Sequence, residues 1–159
     1  MRHDGGGIPG VSFAVGRVRA PEWLVGVASL ALALDLFLMS WYGAGDGWRT
    51  LTLLRFLVAV CALGGVAVLW LQGAFRAPAP AVCATSIELV ISLLTLAALI
   101  VRVLLAPPAA AGATRAGAYA ALALCAAIAL FAYRSLRLDG IRDVDCTSGL
   151  TELTLPEAD

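Results

Sequence analysis

Residues 81–106 read AVCATSIELVISLLTLAALIVRVLLA, and two of the 26, Glu88 and Arg102, are charged. A bilayer core about 30 Å thick is crossed by about 20 helical residues, so this run is long enough to span. Its apolar residues are continuous rather than alternating. That excludes a barrel strand, and an open sheet edge cannot face lipid. Pro107 and Pro108 end it, because proline lacks the N–H a helix needs and bars the residue before it from helical geometry.

Three more such runs lie around it, at residues 23–42, 51–71 and 116–133. Across all four, the only charges are Asp35, Arg55, Glu88 and Arg102, although the chain holds 11 cations and 11 anions. The first run carries nine Leu, Val or Phe. Each favours insertion by roughly 0.3–0.6 kcal/mol, which offsets the roughly 2.5–3.5 kcal/mol of one central Asp. It is longer than a signal-peptide core and a Gly-rich stretch of 22 residues precedes it, so it reads as a span. The fourth run is rich in Ala and depends most on packing against the others. Links of eight or nine residues force neighbouring spans to be antiparallel. The expected fold is all-α: a four-helix transmembrane bundle, up-down-up-down. Its membrane domain is residues 23–133, flanked by a flexible Gly-rich tail at 1–22 and a polar acidic tail at 134–159.

Composition agrees. The chain is 159 residues long, 61% hydrophobic and 14% charged, and mean hydropathy is +0.91. A soluble domain has about 45–50% apolar and about 25% charged residues. Net charge is zero, so no basic patch offers itself to nucleic acid. Every cation is Arg, and Lys and Asn are absent, which points to a GC-rich genome. Trp23, Trp41, Tyr42, Trp48, Trp70 and Tyr133 fall at or near span ends, as an aromatic belt would.

Arginines orient the bundle. The tails and the middle link hold seven (Arg2, Arg17, Arg19, Arg76, Arg134, Arg137, Arg142), and the other two links hold Arg49 and Arg115. The positive-inside rule places both termini in the cytoplasm, and so the chain in the cell membrane.

The candidate intramembrane polar contacts are Asp35, Arg55, Glu88, Ser92, Thr95 and Arg102. Thr85, Glu88, Ser92, Thr95 and Arg102 recur at steps of 3, 4, 3 and 7, which places them on one helix face. Such a stripe should turn toward the other helices. Glu88 and Arg102 are roughly 21 Å apart along the axis and cannot pair. An ion pair of Asp35 with Arg102 or Arg55 is expected instead. Gly64 and Gly65, and the series Ala113, Gly117 and Ala121, allow close backbone approach.

No catalytic, cofactor-binding or metal-binding residue is expected. There is one histidine, His3, in the tail, and Cys61, Cys83, Cys125 and Cys146 form no C-x-x-C. Asp143 and Asp145 lack further ligands. No nucleophile and base can be assembled within the spans, and no phosphate-binding or hydrolase motif occurs. The expected partners are the lipid bilayer and either a second copy or another membrane protein.

The run Leu36-Phe37-Leu38-Met39-Ser40-Trp41-Tyr42 with Gly47-Trp48, and Arg102 through Pro108 followed by Arg115-Ala116-Gly117-Ala118-Tyr119, carry a resemblance. Together they resemble small, uncharacterised four-span membrane proteins of GC-rich bacteria. In that family a Pro often precedes the Trp-Tyr pair, where Ser40 stands here. The resemblance implies fold and location and brings no activity. A structural or accessory membrane subunit is the first expectation. An oligomeric transport component for a proton, ion or small solute, using Asp35, Glu88 and Arg102, is the alternative.

Overall fold

The computed structural model describes residues 16, 18–74, 78–105, 107 and 113–147, with backbone alone at 78–81 and 139–147. Four long helices form the body: α1 (Ala20–Leu38), α3 (Leu54–Ala74), α4 (Pro78–Ile100) and α5 (Ala116–Thr147). Each contains a stretch long and apolar enough to cross a membrane. The chain is an all-α four-helix bundle with a small hairpin, β1 (Ser40–Tyr42) and β2 (Gly45–Asp46), and a single turn, α2 (Gly47–Thr50). In the ring of helices, α1 and α4 each pack against both α3 and α5.

Contacts between helix ends fix the directions. At one end Glu22, early in α1, meets Ser135 of α5, and Gln72, late in α3, meets Thr85, early in α4. At the other end Tyr42 follows α1 and bonds Arg102 at the close of α4, while Trp41 accepts from Arg115 just before α5. Successive long helices therefore run up and down.

Local chemistry explains the starts and stops. Pro21 lies in the first turn of α1, where its missing N–H is harmless. The Glu22 carboxylate reaches back to accept from Arg19 N at 2.8 Å, half of a capping box. Pro78 opens α4. Apolar-run lengths place residues 72–80 in a link, but prolines in a first turn are compatible with helix. The last turn of α4, Val101–Leu105, widens into a π-helix before the prolines.

Three boundaries differ from the apolar runs. Helix α1 ends at Leu38, so Ser40-Trp41-Tyr42 is strand rather than the end of a span. Hydropathy cannot separate a helix from an apolar cap that is buried for another reason. Likewise α3 begins at Leu54, which moves Arg55 to its first turn. Helix α5 continues through Thr147 instead of ending with the apolar run at Tyr133. Hydropathy marks where lipid contact can stop. It does not mark where backbone hydrogen bonds stop, and residues 134–138 are mostly Arg and Leu, good helix formers. That adds about 20 Å of helix at 1.5 Å per residue. The Gly-rich tail to residue 15, His3, Arg2, Arg17, Arg76 and the distal acidic segment lie outside the described residues, as do the side chains of Arg142, Asp143, Asp145 and Cys146.

Trp41 and Tyr42 are completely buried. They are not belt residues like Trp23, Trp70, Tyr119 and Tyr133, which are exposed. Gly43, at φ 55°, turns the hairpin in a conformation that glycine adopts without strain. Its N–H donates to Ala113 O at 3.0 Å, and Arg115 N–H donates to Trp41 O at 2.8 Å. The α4–α5 connection is thereby laid beside the hairpin. Gly117 has no Cβ because Ser40 O, Met39 and Trp41 occupy that space. One member of the expected small-residue series thus serves contact within the chain.

Candidate functional site: the polar groups inside the bundle

The stripe on α4 turns inward. Thr85, Glu88, Ser92 and Thr95 are all at most 1% exposed, and Leu99 fills the skipped position with 0%. Ser92 Oγ donates to Leu89 O at 2.9 Å and Thr95 Oγ1 to Ile91 O at 2.7 Å. Both hydroxyls are thus engaged by their own helix, which satisfies them without another partner.

Glu88 sits between three helices. Its Oε1 accepts from the Cys61 thiol of α3 at 3.6 Å, and Cys61 also contacts Cys125 of α5 and Thr95. Its Oε2 is buried with no hydrogen-bond partner and rests against Gly64, where a Cβ would overlap it. Gly65 does the same for α1: a Cβ there would overlap Ser29 Oγ. The glycine pair lets α3 approach both neighbours closely enough to enclose polar groups. Nothing in the spacing of the cysteines marks Cys61 and Cys125 as neighbours. Their partnership, and the roles of Ser29 and Glu22, come from packing alone.

Asp35 lies one turn from the end of α1, about 9 Å from the helix centre at 1.5 Å per residue. It is 5% exposed, and Oδ2 has no partner. Trp41 Nε1 donates to the Asp35 carbonyl at 3.4 Å. Asp35 lines a cavity of about 360 Å³ between α1 and α5, with Leu34, Leu38, Met39, Ala120 and Leu124.

The expected ion pair does not form. Arg49 pairs with Asp46, at 3.7 Å on the surface. Arg55 instead stacks on aromatic rings, its Cζ 5.2 Å from the centroid of Trp48 and 4.8 Å from that of Phe56. Arg102 is half-buried, and its carbonyl accepts from Tyr42 OH at 3.1 Å. The π-turn supplies that carbonyl, since widening shifts which backbone groups are left for outside partners. Asp35, Arg55 and Arg102 all lie near the hairpin end, whereas Glu88 lies deeper, level with Gly64 and so close to the level of Ser29, roughly 8 Å from Asp35 along the bundle axis. Leu32, Leu36, Val58, Leu99 and Val103, all buried, form an apolar core with Trp41. The cavity beside Asp35 is lined by neither Glu88 nor Arg102.

No group of three or more His, Cys, Asp or Glu residues that could hold a metal ion occurs among the described residues. What the arrangement can do chemically is tie helices together: a carboxyl, two thiols and a hydroxyl join α3, α4 and α5. Comparison with protein-family models, with curated proteins and with solved structures returned no match.

Proposed function

We propose that this chain is a structural or accessory subunit of the cell membrane, with both termini cytoplasmic, that packs against a second copy or another membrane protein. The observation that supports the reading is how the interior polar groups are used. Glu88 is wedged against Gly64 and Cys61, and Ser92 and Thr95 bond their own helix. Polar groups buried this way fix helix register and neighbour choice. Orientation rests on the arginines. Counting Arg55 and Arg102 with the hairpin end leaves seven against four.

Two observations favour a second reading, a transport component: Asp35 Oδ2 and Glu88 Oε2 are buried without partners. In that reading they hold a proton or cation, and an oligomer completes the route. Asp35→Asn and Glu88→Gln separate the two. A lower melting temperature or abundance, with no change in proton or cation flux into proteoliposomes, supports the clamp. Normal abundance with abolished flux overturns it in favour of transport. Labelling single cysteines placed at positions 5 and 150, in a chain lacking the native four, tests orientation; reaction from outside the cell overturns it.

A further inference from the structure

At the hairpin end, Arg55 carries a charge that nothing in the described protein neutralises. A guanidinium stays charged in proteins and offers five N–H donors. Among the described residues no ion-pair partner of Arg55 is found, and its guanidinium meets the Trp48 carbonyl and two aromatic rings instead. One donor reaches Trp48 O at 3.4 Å, and Nε is buried with no partner. The side chain is held in place from two sides, over Trp48 and over Phe56. A fixed cation in the first turn of a spanning helix stands where lipid headgroups meet acyl chains.

An apolar groove begins at the same indole. Trp48 stacks on Phe37 with ring centroids 5.2 Å apart. Behind these rings, between α1 and α3, lies a cavity of about 260 Å³ lined by Phe37, Trp48, Ala59, Ala62 and Leu63 among others. Phe37 is 54% and Leu63 69% exposed, so the groove opens on the face turned to lipid. Its small floor residues, Ala59 and Ala62, leave the width that larger side chains would fill.

We propose that Arg55 and the α1–α3 groove form a binding site for an anionic glycerophospholipid. The phosphate rests on the free edge of the Arg55 guanidinium and one acyl chain lies in the groove beside Trp48. A net negative headgroup is specified because the site holds an uncompensated cation and no carboxylate to receive a headgroup ammonium. The site requires only that the four helices cross a bilayer, and is independent of whether the chain is an accessory subunit or a transport component.

The test uses the full chain in detergent. Native mass spectrometry counts bound lipid during titration with dioleoylphosphatidylglycerol or dioleoylphosphatidylcholine. One phosphatidylglycerol should be retained about tenfold more tightly than phosphatidylcholine, the scale of one charge-assisted contact. Arg55→Gln should bring that preference close to one. Arg49→Gln and Arg115→Gln, at the same end, should leave it in place. Ala59→Phe, which fills the groove and leaves the charge, should weaken retention of both lipids. Inorganic phosphate at millimolar concentration should not displace the lipid. Equal retention of the two lipids by the unaltered chain overturns the proposal. So does an equal loss of preference in all three Arg variants, which would mean a general surface charge effect. Displacement by phosphate, or retention unchanged in Ala59→Phe, overturns the role of the groove and with it the proposal. If Arg55→Gln does not fold, the Ala59→Phe and phosphate arms decide.

Discussion

Replacing Gly65 with Ala tests the claim that glycines in α3 set the distance between helices. A Cβ at Gly65 would overlap Ser29 Oγ and lie 2.8 Å from Ser29 Cβ and 3.3 Å from Val25 Cγ1. Carbon atoms rest at about 3.5–4.0 Å, so the Ser29 contact is short by about 0.7–1.2 Å. Ser29 Cβ is bonded to the α1 backbone and cannot rotate aside, so α1 and α3 must separate. Separation loosens Val25 and Ala62, which are 1% and 2% exposed. A gap of about 0.5–1 Å forfeits about a quarter to a half of each contact there. Overpacking of this kind costs about 2–3 kcal/mol, and the better helix propensity of Ala returns about 1 kcal/mol. The expected net loss is about 1–2 kcal/mol, or about 3–6 °C in melting temperature for a chain of this size. Thermal unfolding followed by circular dichroism in a single detergent measures it. Ser29→Gly removes both Ser29 atoms from the overlap, so the double variant should recover about 1–2 kcal/mol relative to additivity. Strict additivity of the two substitutions would refute the contact. Gly64→Ala gives a contrast. There the overlapping atom is the far end of the flexible Glu88 side chain, which can swing, so the loss should be smaller than at Gly65.

Three further outcomes follow from the packing. Trp41→Ala empties a completely buried site beneath α5 and should lower stability by about 3–5 kcal/mol, seen as loss of folded protein in fluorescence-detected size exclusion. Tyr42→Phe removes only the 3.1 Å bond to the Arg102 carbonyl and should cost about 1 kcal/mol in the same unfolding assay. Cys61 and Cys125 are completely buried whereas Cys83 is exposed. In a chain with Cys83 and Cys146 changed to Ser, a membrane-permeant maleimide should therefore add nothing until detergent unfolds the bundle. Rapid double labelling of the folded chain would contradict the Glu88–Cys61–Cys125 arrangement.

Glu88 and Asp35 show how far one-dimensional reading reaches. The steps along α4 place Thr85, Glu88, Ser92 and Thr95 on one face, and lipid on the other side leaves that face one direction to turn. The structure buries all four. Asp35 is different. The apolar run extends to Tyr42 and puts Asp35 near its middle, but the helix ends at Leu38 and Trp41 and Tyr42 leave it to close the bundle. Asp35 therefore lies nearer the helix end, and its carboxylate meets neither arginine.

Four helices long and apolar enough to cross a membrane, their alternating directions and the polar face of α4 are all legible along the chain. Each of these follows from run length, link length or helical period, which are properties of neighbouring residues. Packing alone reveals that Gly64 and Gly65 enclose Glu88 and Ser29, that Cys61 faces Cys125, that Trp41 and Tyr42 are a buried cap, and that Arg55 stacks on Trp48 instead of pairing with Asp35. Those partners come from helices whose rotation about their own axes is set by the fit of all four together. Outside α4, low charge and an even apolar surface leave that rotation unmarked along the chain.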